Sequence, residues 1–280
     1  MPSLSKLQWG LILTTILLVV LLYSLDIKAP KTTKAGAKEA TNNNNNTVLN
    51  FEQLEAKALK EVPEEVKNSI QKLSKSLADA SEGDKITARE ELAEAYFAYK
   101  QYAVAAMLFE ENSGLLKNAD AYVKAGNAYR DAYRNSNDSN ITPTLVMKAK
   151  DQYQKAMDID STNLDAKTGL GTCYVDASEN PMQGIQLLLE VVKQDPENSN
   201  ANLNLGLFSM RSGQFDKAIK RFEVVAKKSP SAESYAMLAE AYEQSGDKNS
   251  AIAALKKAKE YVIDPQISRG IDDYIKNLEN

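Results

Sequence analysis

The chain of 280 residues contains no histidine and only one cysteine, Cys173. Histidine is the commonest general base and metal ligand, and a single thiol can form neither an internal disulfide nor a thiolate metal cluster. Glycine and proline are also sparse, at 12 and 8 residues. These absences argue against an enzyme and against a metalloprotein. We therefore expect no catalytic residues, no metal site and no bound cofactor.

Acidic residues outnumber basic ones beyond the first forty residues. The whole chain has a net charge of −4, although it carries a cluster of four lysines between Lys28 and Lys38. The remainder is therefore more acidic than the total suggests, and an acidic surface repels the phosphates of a nucleic acid. A Gly-rich phosphate loop is also missing from the sequence. We expect no nucleic-acid partner.

Residues 7–25 form an apolar run without a charged residue. About 19 helical residues, each rising about 1.5 Å, span the hydrocarbon core of a bilayer. Trp9 and Tyr23 lie near its two ends, where amphipathic rings prefer the membrane interface. A cleaved signal peptide is the rival interpretation, but its apolar core usually has only about 7 to 15 residues. We predict an uncleaved transmembrane helix over 7–25, inserted in the lipid bilayer.

Residues 26–49 are predicted to form a flexible, disordered linker. They contain Pro30, repeated Lys and Thr, and a run of asparagines from 42 to 46, so they offer little to bury in a core. The lysines of this linker outnumber Lys6 and the terminal amine on the other side of the apolar run. This excess favours a cytoplasmic carboxy-terminal domain. A periplasmic domain is the alternative, because an amino-terminal anchor can also export the domain attached to it.

A helical pattern begins at residue 50. Asn50 with Gln53 resembles an N-terminal cap, and Pro63 stands where a second helix would begin. Apolar residues from Val66 to Leu77 then recur on one helix face. We predict a helical hairpin over 50–85 that docks on or caps the next domain.

The stretch from 199 to 230 shows how that domain is organised. Gly206 and Ala218 are small enough for two antiparallel helices to approach closely, and Phe222 fills the space beside the next pair. Gly213 is placed to end the first helix and Pro230 to stop the second. The same order recurs five times at a spacing of about 34 residues. We therefore predict five repeats over 86–263, with an insertion at 131–148 in the second, and a capping helix over 264–280.

This order and spacing resembles the tetratricopeptide repeat (TPR) family over about two-thirds of the chain. The resemblance implies an all-α, TPR-type α-solenoid, a right-handed superhelix, here placed behind an amino-terminal transmembrane helix and a flexible linker. With the anchor included, the chain looks like a bacterial single-pass inner-membrane TPR protein. Such proteins are interaction scaffolds that bind a partner peptide or protein in a concave groove. A periplasmic factor that assists folding or assembly of exported proteins is the alternative.

The resemblance also indicates which residues line the groove. The inward-facing positions of the first helix of each repeat are acidic at both ends of the array, where they include Glu90, Glu94, Glu240 and Glu243. In the middle they are apolar or carry amides and hydroxyls. The same helical spacing is also expected of residues that merely pack on a neighbouring helix. The predicted partner-binding residues are Val123, Asn127, Arg130, Thr168, Thr172, Val175, Leu203, Leu207 and Met210.

Some TPR proteins grip acidic peptide ends with a carboxylate clamp of Lys, Asn and Arg on successive repeats. Asn127 matches the first clamp asparagine, but Val123 stands at the lysine position before it. Gly169 stands where the second asparagine is expected. The clamp is absent, so the resemblance does not extend to chaperone-tail binding.

Overall fold

The computed structural model describes residues 48–177 and 180–279, and these residues are all-α, without a β-strand. They form thirteen helices, which confirms the predicted fold class at this level. The helices are α1 (Phe51–Glu61), α2 (Glu64–Asp79), α3 (Lys85–Ala98), α4 (Tyr102–Leu116), α5 (Ala119–Asn135), α6 (Thr142–Ile159), α7 (Leu164–Asp176), α8 (Pro181–Gln194), α9 (Ser199–Arg211), α10 (Phe215–Lys228), α11 (Ala232–Ser245), α12 (Lys248–Lys259) and α13 (Pro265–Glu279).

The described residues divide into two compact units, with the boundary inside α8. The amino-terminal unit ends at Gly184, and the carboxy-terminal unit begins at Ile185. In the first, α3 packs on α4, α4 on α5, α5 on α6 and α6 on α7. In the second, α9 packs on α10, α10 on α11, α11 on α12 and α12 on α13. Each unit is thus a row of antiparallel helices in contact with their sequence neighbours.

The predicted transmembrane helix (7–25) and nearly all of the predicted linker (26–49) lie outside the described residues. In the part of the chain that is described, no helix is both long and apolar enough to cross a bilayer.

The first helical hairpin begins with the cap that the sequence predicts. Asn50 Oδ1 accepts a hydrogen bond from Gln53 N at 2.8 Å, which satisfies one free N–H of the first turn of α1. Pro63 directly precedes α2, one residue earlier than the first helical position at which it was expected. The hairpin is tied to the first repeat, because Tyr96 of α3 donates to Glu55 Oε1 at 2.8 Å.

Close approach of helix pairs depends on three glycines that face aromatic rings. A Cβ added at Gly206 would lie 2.5 Å from Phe222 Cε1. In the amino-terminal unit, Tyr153 lies between two such glycines, and an added Cβ would approach it to 2.8 Å from Gly126 and 2.2 Å from Gly169. No side chain fits at these distances. The steric rule inferred for Gly206 therefore holds in both units.

The helix ends also follow the repeat pattern. Gly213 and Gly246 have φ values of +70° and +89°, in the left-handed region that glycine enters without a Cβ penalty. They follow α9 and α11, the first helices of the last two repeats. The second helix α10 ends at Lys228, shortly before Pro230.

The insertion in the second repeat is mostly helical. Helices α5 and α6 have 17 and 18 residues, whereas the other repeat helices have 12 to 15. Helix α6 begins at Thr142 with Pro143 in its first turn, as the sequence predicts. Only residues 136–141 form a loop. The extra residues therefore lengthen one helical hairpin instead of forming a long surface loop.

Candidate functional site

Six of the predicted binding residues lie in the amino-terminal unit, on helices α5 and α7, which contact each other. We call this set the amino-terminal face: Val123, Asn127 and Arg130 on α5, and Thr168, Thr172 and Val175 on α7. Val123 is buried and packs with Ala156 and Ala166. Asn127 and Arg130 are partly exposed. The α5 half of the face is therefore partly open to solvent.

Asn127 and Arg130 are linked through a buried tyrosine. Tyr153 of α6 donates a hydrogen bond from its hydroxyl to Asn127 Oδ1 at 2.8 Å, and Arg130 Nη1 donates to the same hydroxyl at 3.3 Å. Burial raises the pKa of Tyr153 well above its ordinary value, so the hydroxyl remains a neutral donor. The Tyr153 hydroxyl thus positions the side chains of both Asn127 and Arg130.

The α7 residues of this face are buried. Thr168 is 3% exposed and Thr172 1%, and Val175 is also buried. Thr172 Oγ1 donates back to Thr168 O at 2.8 Å, one helical turn earlier. Thr168 Oγ1, in contrast, has no hydrogen-bond partner. The two threonines therefore differ in whether their hydroxyls are satisfied.

The other three predicted residues lie in the carboxy-terminal unit, all on α9. We call Leu203, Leu207 and Met210 the carboxy-terminal face. Each is only partly buried, and each packs against a cluster that includes Phe222 and Leu238. These side chains thus support the core on one side while part of each remains accessible.

The acidic residues at the two ends of the predicted array have different surroundings. Lys124 Nζ lies 2.5 Å from Glu90 Oε1 and 2.7 Å from Glu94 Oε1. Burial alone would lower the pKa of Lys124, but its hydrogen bonds to both glutamates outweigh this effect and raise it. One lysine therefore compensates part of the acidic charge expected on α3.

On α11 no lysine or arginine of the described chain pairs with Glu240. Its pKa is raised by burial and, secondarily, by the negative charge of Glu243. Glu243 accepts a hydrogen bond from the Tyr274 hydroxyl of α13. The acidic character predicted for this end is therefore retained in the carboxy-terminal unit.

A partly buried polar network in the amino-terminal unit was not predicted from the sequence. The Glu110 carboxylate of α4 accepts hydrogen bonds from the Tyr129 hydroxyl, from Lys148 Nζ at 2.8 Å and from Gln152 Nε2 at 3.1 Å. Ser113 Oγ also donates to Gln152 Oε1 at 3.0 Å. Burial, and then the Glu110 charge, raise the pKa of Tyr129 far above its ordinary value. This network joins α4, α5 and α6.

A second unpredicted contact joins the lengthened end of α5 to α7. Arg134 donates to Asp176 Oδ2 from Nε at 3.0 Å and from Nη2 at 2.8 Å, and Tyr133 donates to the same oxygen at 2.9 Å. Arg134 and Tyr133 belong to the extra turns of α5. The sequence shows only that these charged and polar residues are present. It does not show that they pair, because helical periodicity does not reveal which carboxylate an arginine contacts.

Cys173 is buried in α7, and burial raises the pKa of its thiol to about 12. A protonated, inaccessible thiol is a poor nucleophile. Over residues 48–177 and 180–279, no group of His, Cys, Asp and Glu side chains is arranged to hold a metal ion.

Tetratricopeptide repeat models match two overlapping parts of the chain, residues 177–238 and residues 232–261. These matches support the TPR family, to which the repeat spacing pointed. The carboxy-terminal hairpins α9–α10 and α11–α12 lie within them.

A thermophilic TPR protein from Thermus thermophilus has a similar structure, with a TM-score of 0.52 and 19% identity, over 68% of this chain and 99% of that one. This likeness shows a TPR-type helical fold. YrrB, a TPR protein described as having an unusual peptide-binding site, matches with a TM-score of 0.41 and 20% identity, over 71% of this chain and 97% of its own.

Among curated proteins, Superkiller protein 3 of Schizosaccharomyces pombe (strain 972) is 26% identical over 201 residues, or 63% of this chain. The match spans only 13% of that much longer protein.

Proposed function

We propose that the protein is a membrane-anchored scaffold that binds a partner peptide or protein through the inward-facing residues of its repeats. TPR proteins typically mediate protein–protein interaction. The observation that carries the proposal is the carboxy-terminal face, where three large apolar side chains on one helix remain partly accessible. Accessible apolar surface of this kind suits the side chains of a bound segment.

The acidic charge of the carboxy-terminal unit favours a partner with basic residues. Glu240 is held near Glu243 without a cationic partner from the described chain, in the same unit as the carboxy-terminal face. A partner that carries lysine or arginine beside its apolar residues would relieve this repulsion. We therefore expect binding to weaken as salt rises, because added ions screen such pairs.

Affinity capture of the full-length protein from detergent-solubilised membranes tests this proposal. The paired change Leu203→Ser and Leu207→Ser should abolish capture of the partner. Met182→Ser is a matched control, because Met182 is 73% exposed on α8 and is not part of either face. Circular dichroism must show that helicity is kept, since both leucines also touch the core cluster. A partner that survives the double change but is lost when loop 136–141 is altered would place recognition on the insertion instead.

Membrane anchoring rests on the apolar sequence 7–25. Full-length protein should remain with the membrane after alkaline carbonate extraction, and a chain lacking residues 1–46 should be released. Release of the full-length chain would show that 7–25 is not an integral anchor.

The side of the membrane on which the repeats lie distinguishes the proposed scaffold from the alternative function, a periplasmic assembly factor. Four lysines after the apolar run favour the cytoplasm for the repeats. A reporter fused after Asn280 that is active only in the cytoplasm supports this orientation. Activity only outside the cytoplasm would favour the assembly factor.

A further inference from the structure

Exposed apolar side chains of the carboxy-terminal unit gather at the turn between α12 and α13. Ile263 is 98% exposed, Ile267 57% and Tyr261 46%, and we call these three residues the apolar tip. Among the described residues of this unit, the other exposed large apolar side chain is Leu189 of α8. The two turns at the opposite edge, 212–214 and 246–247, contain only glycine and polar residues. The apolar surface is therefore concentrated on one edge of the unit.

The apolar tip is held in a fixed position by the fold. Tyr261 stacks on Tyr235 of α11 with ring centroids 5.7 Å apart, and Val262 packs against the core cluster. Asp264 Oδ1 accepts a hydrogen bond from Gln266 N at 2.7 Å, which fixes the start of α13. Single exposed apolar residues are common on protein surfaces, but a group of them on one ordered turn indicates an interaction surface.

The charges beside the apolar tip nearly balance, whereas the repeats as a whole are acidic. Helices α10 and α12 run parallel, so their last turns end on the same edge as the tip. These two turns carry five lysines, at positions 227, 228, 256, 257 and 259. The acids on this edge are Glu197, Glu260 and Asp272, which pair with these lysines, Asp264, which caps α13, and Glu233 at the start of α11. This edge can therefore approach an anionic surface that repels the rest of the repeats.

The small size of the apolar tip favours a lipid surface over a second protein chain. A stable protein interface takes about 20 to 30 residues on each side, and three side chains on a turn fall far short of this. A bilayer interface accepts a small tip, since tyrosine and lysine place their apolar parts inward and their polar ends toward water.

A bilayer is also close to the tip under the proposed function, in which residues 7–25 anchor the chain. Between residue 25 and the first described residue, Val48, the chain can extend by at most about 80 Å, because one residue spans at most about 3.5 Å. Tethering of this kind raises the local concentration of lipid around the repeats and favours even a weak contact.

We propose that the apolar tip docks on the lipid bilayer in which the chain is anchored. This inference rests on the membrane anchor of the proposed function. The side chains of Tyr261, Ile263 and Ile267 enter the interfacial region, and the lysines of α10 and α12 lie among the headgroups. The tip is thus a second, reversible attachment to the membrane, made by the carboxy-terminal unit.

Fluorescence quenching in proteoliposomes tests this proposal. The full-length protein is reconstituted in vesicles of equal parts phosphatidylcholine and phosphatidylglycerol, with a fluorescent probe attached through Gln266→Cys beside the tip. Cys173 does not compete for the label, because it is buried and its pKa is raised to about 12. Lipids with a nitroxide in the upper acyl chain should quench this probe strongly. A probe attached through Asn249→Cys, exposed at the opposite end of α12, is the matched control and should be quenched weakly.

Substitution of the isoleucines shows whether they cause the docking. Ile263→Ser should lower the docking equilibrium constant about tenfold, and adding Ile267→Ser should reduce quenching to that of the control probe. Ile263→Trp, which keeps an apolar side chain, should retain the quenching, and so should Leu189→Ser elsewhere in the unit. Circular dichroism checks that each variant keeps its fold. Equal quenching of the two probes, or quenching that the double change leaves unaltered, would overturn the proposal.

The same samples distinguish lipid docking from its alternatives. Energy transfer between labelled chains that rises with protein density, without quenching by lipid, would show that a second copy covers the tip and would also overturn the proposal. Ile263→Ser should leave partner capture unchanged, because Ile263 belongs to neither predicted binding face. Release of the full-length chain by carbonate would contradict the anchor, whereas loss of tip quenching in a chain that stays membrane-bound contradicts only the docking.

Discussion

The two units use the same steric rule but differ in what else holds their helices together. In the carboxy-terminal unit, hairpins of ordinary length close around an apolar cluster that includes Phe222, Leu238 and Ile275. In the amino-terminal unit, the lengthened α5–α6 hairpin carries buried tyrosines and the Glu110 network. The comparison teaches that both units share the glycine–aromatic contact between helices, and that the lengthened hairpin adds to it a network in which one carboxylate, Glu110, binds side chains of two further helices.

The largest expected effect on stability tests the steric rule that the two units share, a glycine in close contact with an aromatic ring. Gly206→Leu and Gly169→Leu should each destabilise the protein by about 3 kcal/mol, the upper end of the usual cost of overpacking, because even a Cβ collides with Phe222 or Tyr153. Chemical denaturation followed by circular dichroism measures this change. Gly114→Ala is the control, since no atom lies within 4 Å of its added Cβ; it should stabilise α4 by about 0.5 to 1 kcal/mol. An unchanged stability of Gly206→Leu would contradict the repeat register.

A smaller effect tests the difference between the units. Glu110→Ala should cost about 1 to 3 kcal/mol, because Tyr129 and Gln152 lose an acceptor inside the protein. Glu197→Ala in the carboxy-terminal unit removes an exposed partner of Lys227 and Lys228, and we expect a smaller cost, because water and salt screen an exposed ion pair. Denaturant titration of both variants makes the comparison. Equal costs would mean that the Glu110 network adds nothing special to the lengthened hairpin.

The smallest effect concerns pH in the carboxy-terminal unit. The folded protein binds a proton at Glu240 more tightly than the unfolded chain does, since burial and Glu243 raise its pKa above 4.5. Its ionised form therefore destabilises the fold, and this loss sets in as pH rises through the folded pKa. Glu240→Gln should melt at a higher temperature than the natural protein at pH 7, and the gap should close below about pH 4. A gap that stays the same at both pH values would contradict this account.

Local steric and capping signals could be predicted from the sequence because they depend on neighbouring residues and on repeat spacing. Gly206 against Phe222, the left-handed Gly213 and the Asn50 cap are all of this kind. The helical extension through 131–135 and 142–148 was harder to predict, because helix propensity and a polar loop compete there. Partners such as Arg134 and Asp176 come from different helices, and their pairing requires the packed structure.

The candidate site was predictable only as a list of positions. The spacing that selected Thr168 and Thr172 gave no sign that their hydroxyls would differ, because this depends on which acceptors packing places nearby. It also did not reveal that Lys124 compensates part of the charge of Glu90 and Glu94, since the lysine belongs to the next hairpin. Electrostatic compensation between repeats is thus the part of the site that sequence reasoning misses.

Site-specific photo-crosslinking in intact membranes tests the central claim, that a partner lies on the inward-facing residues, most directly. A photoreactive phenylalanine analogue placed at Leu207 should trap a partner protein as a discrete adduct. The same analogue at Lys220, exposed on α10, is the control and should trap none. An adduct from Lys220 but not from Leu207, or equal adducts from both, would contradict binding at the carboxy-terminal face.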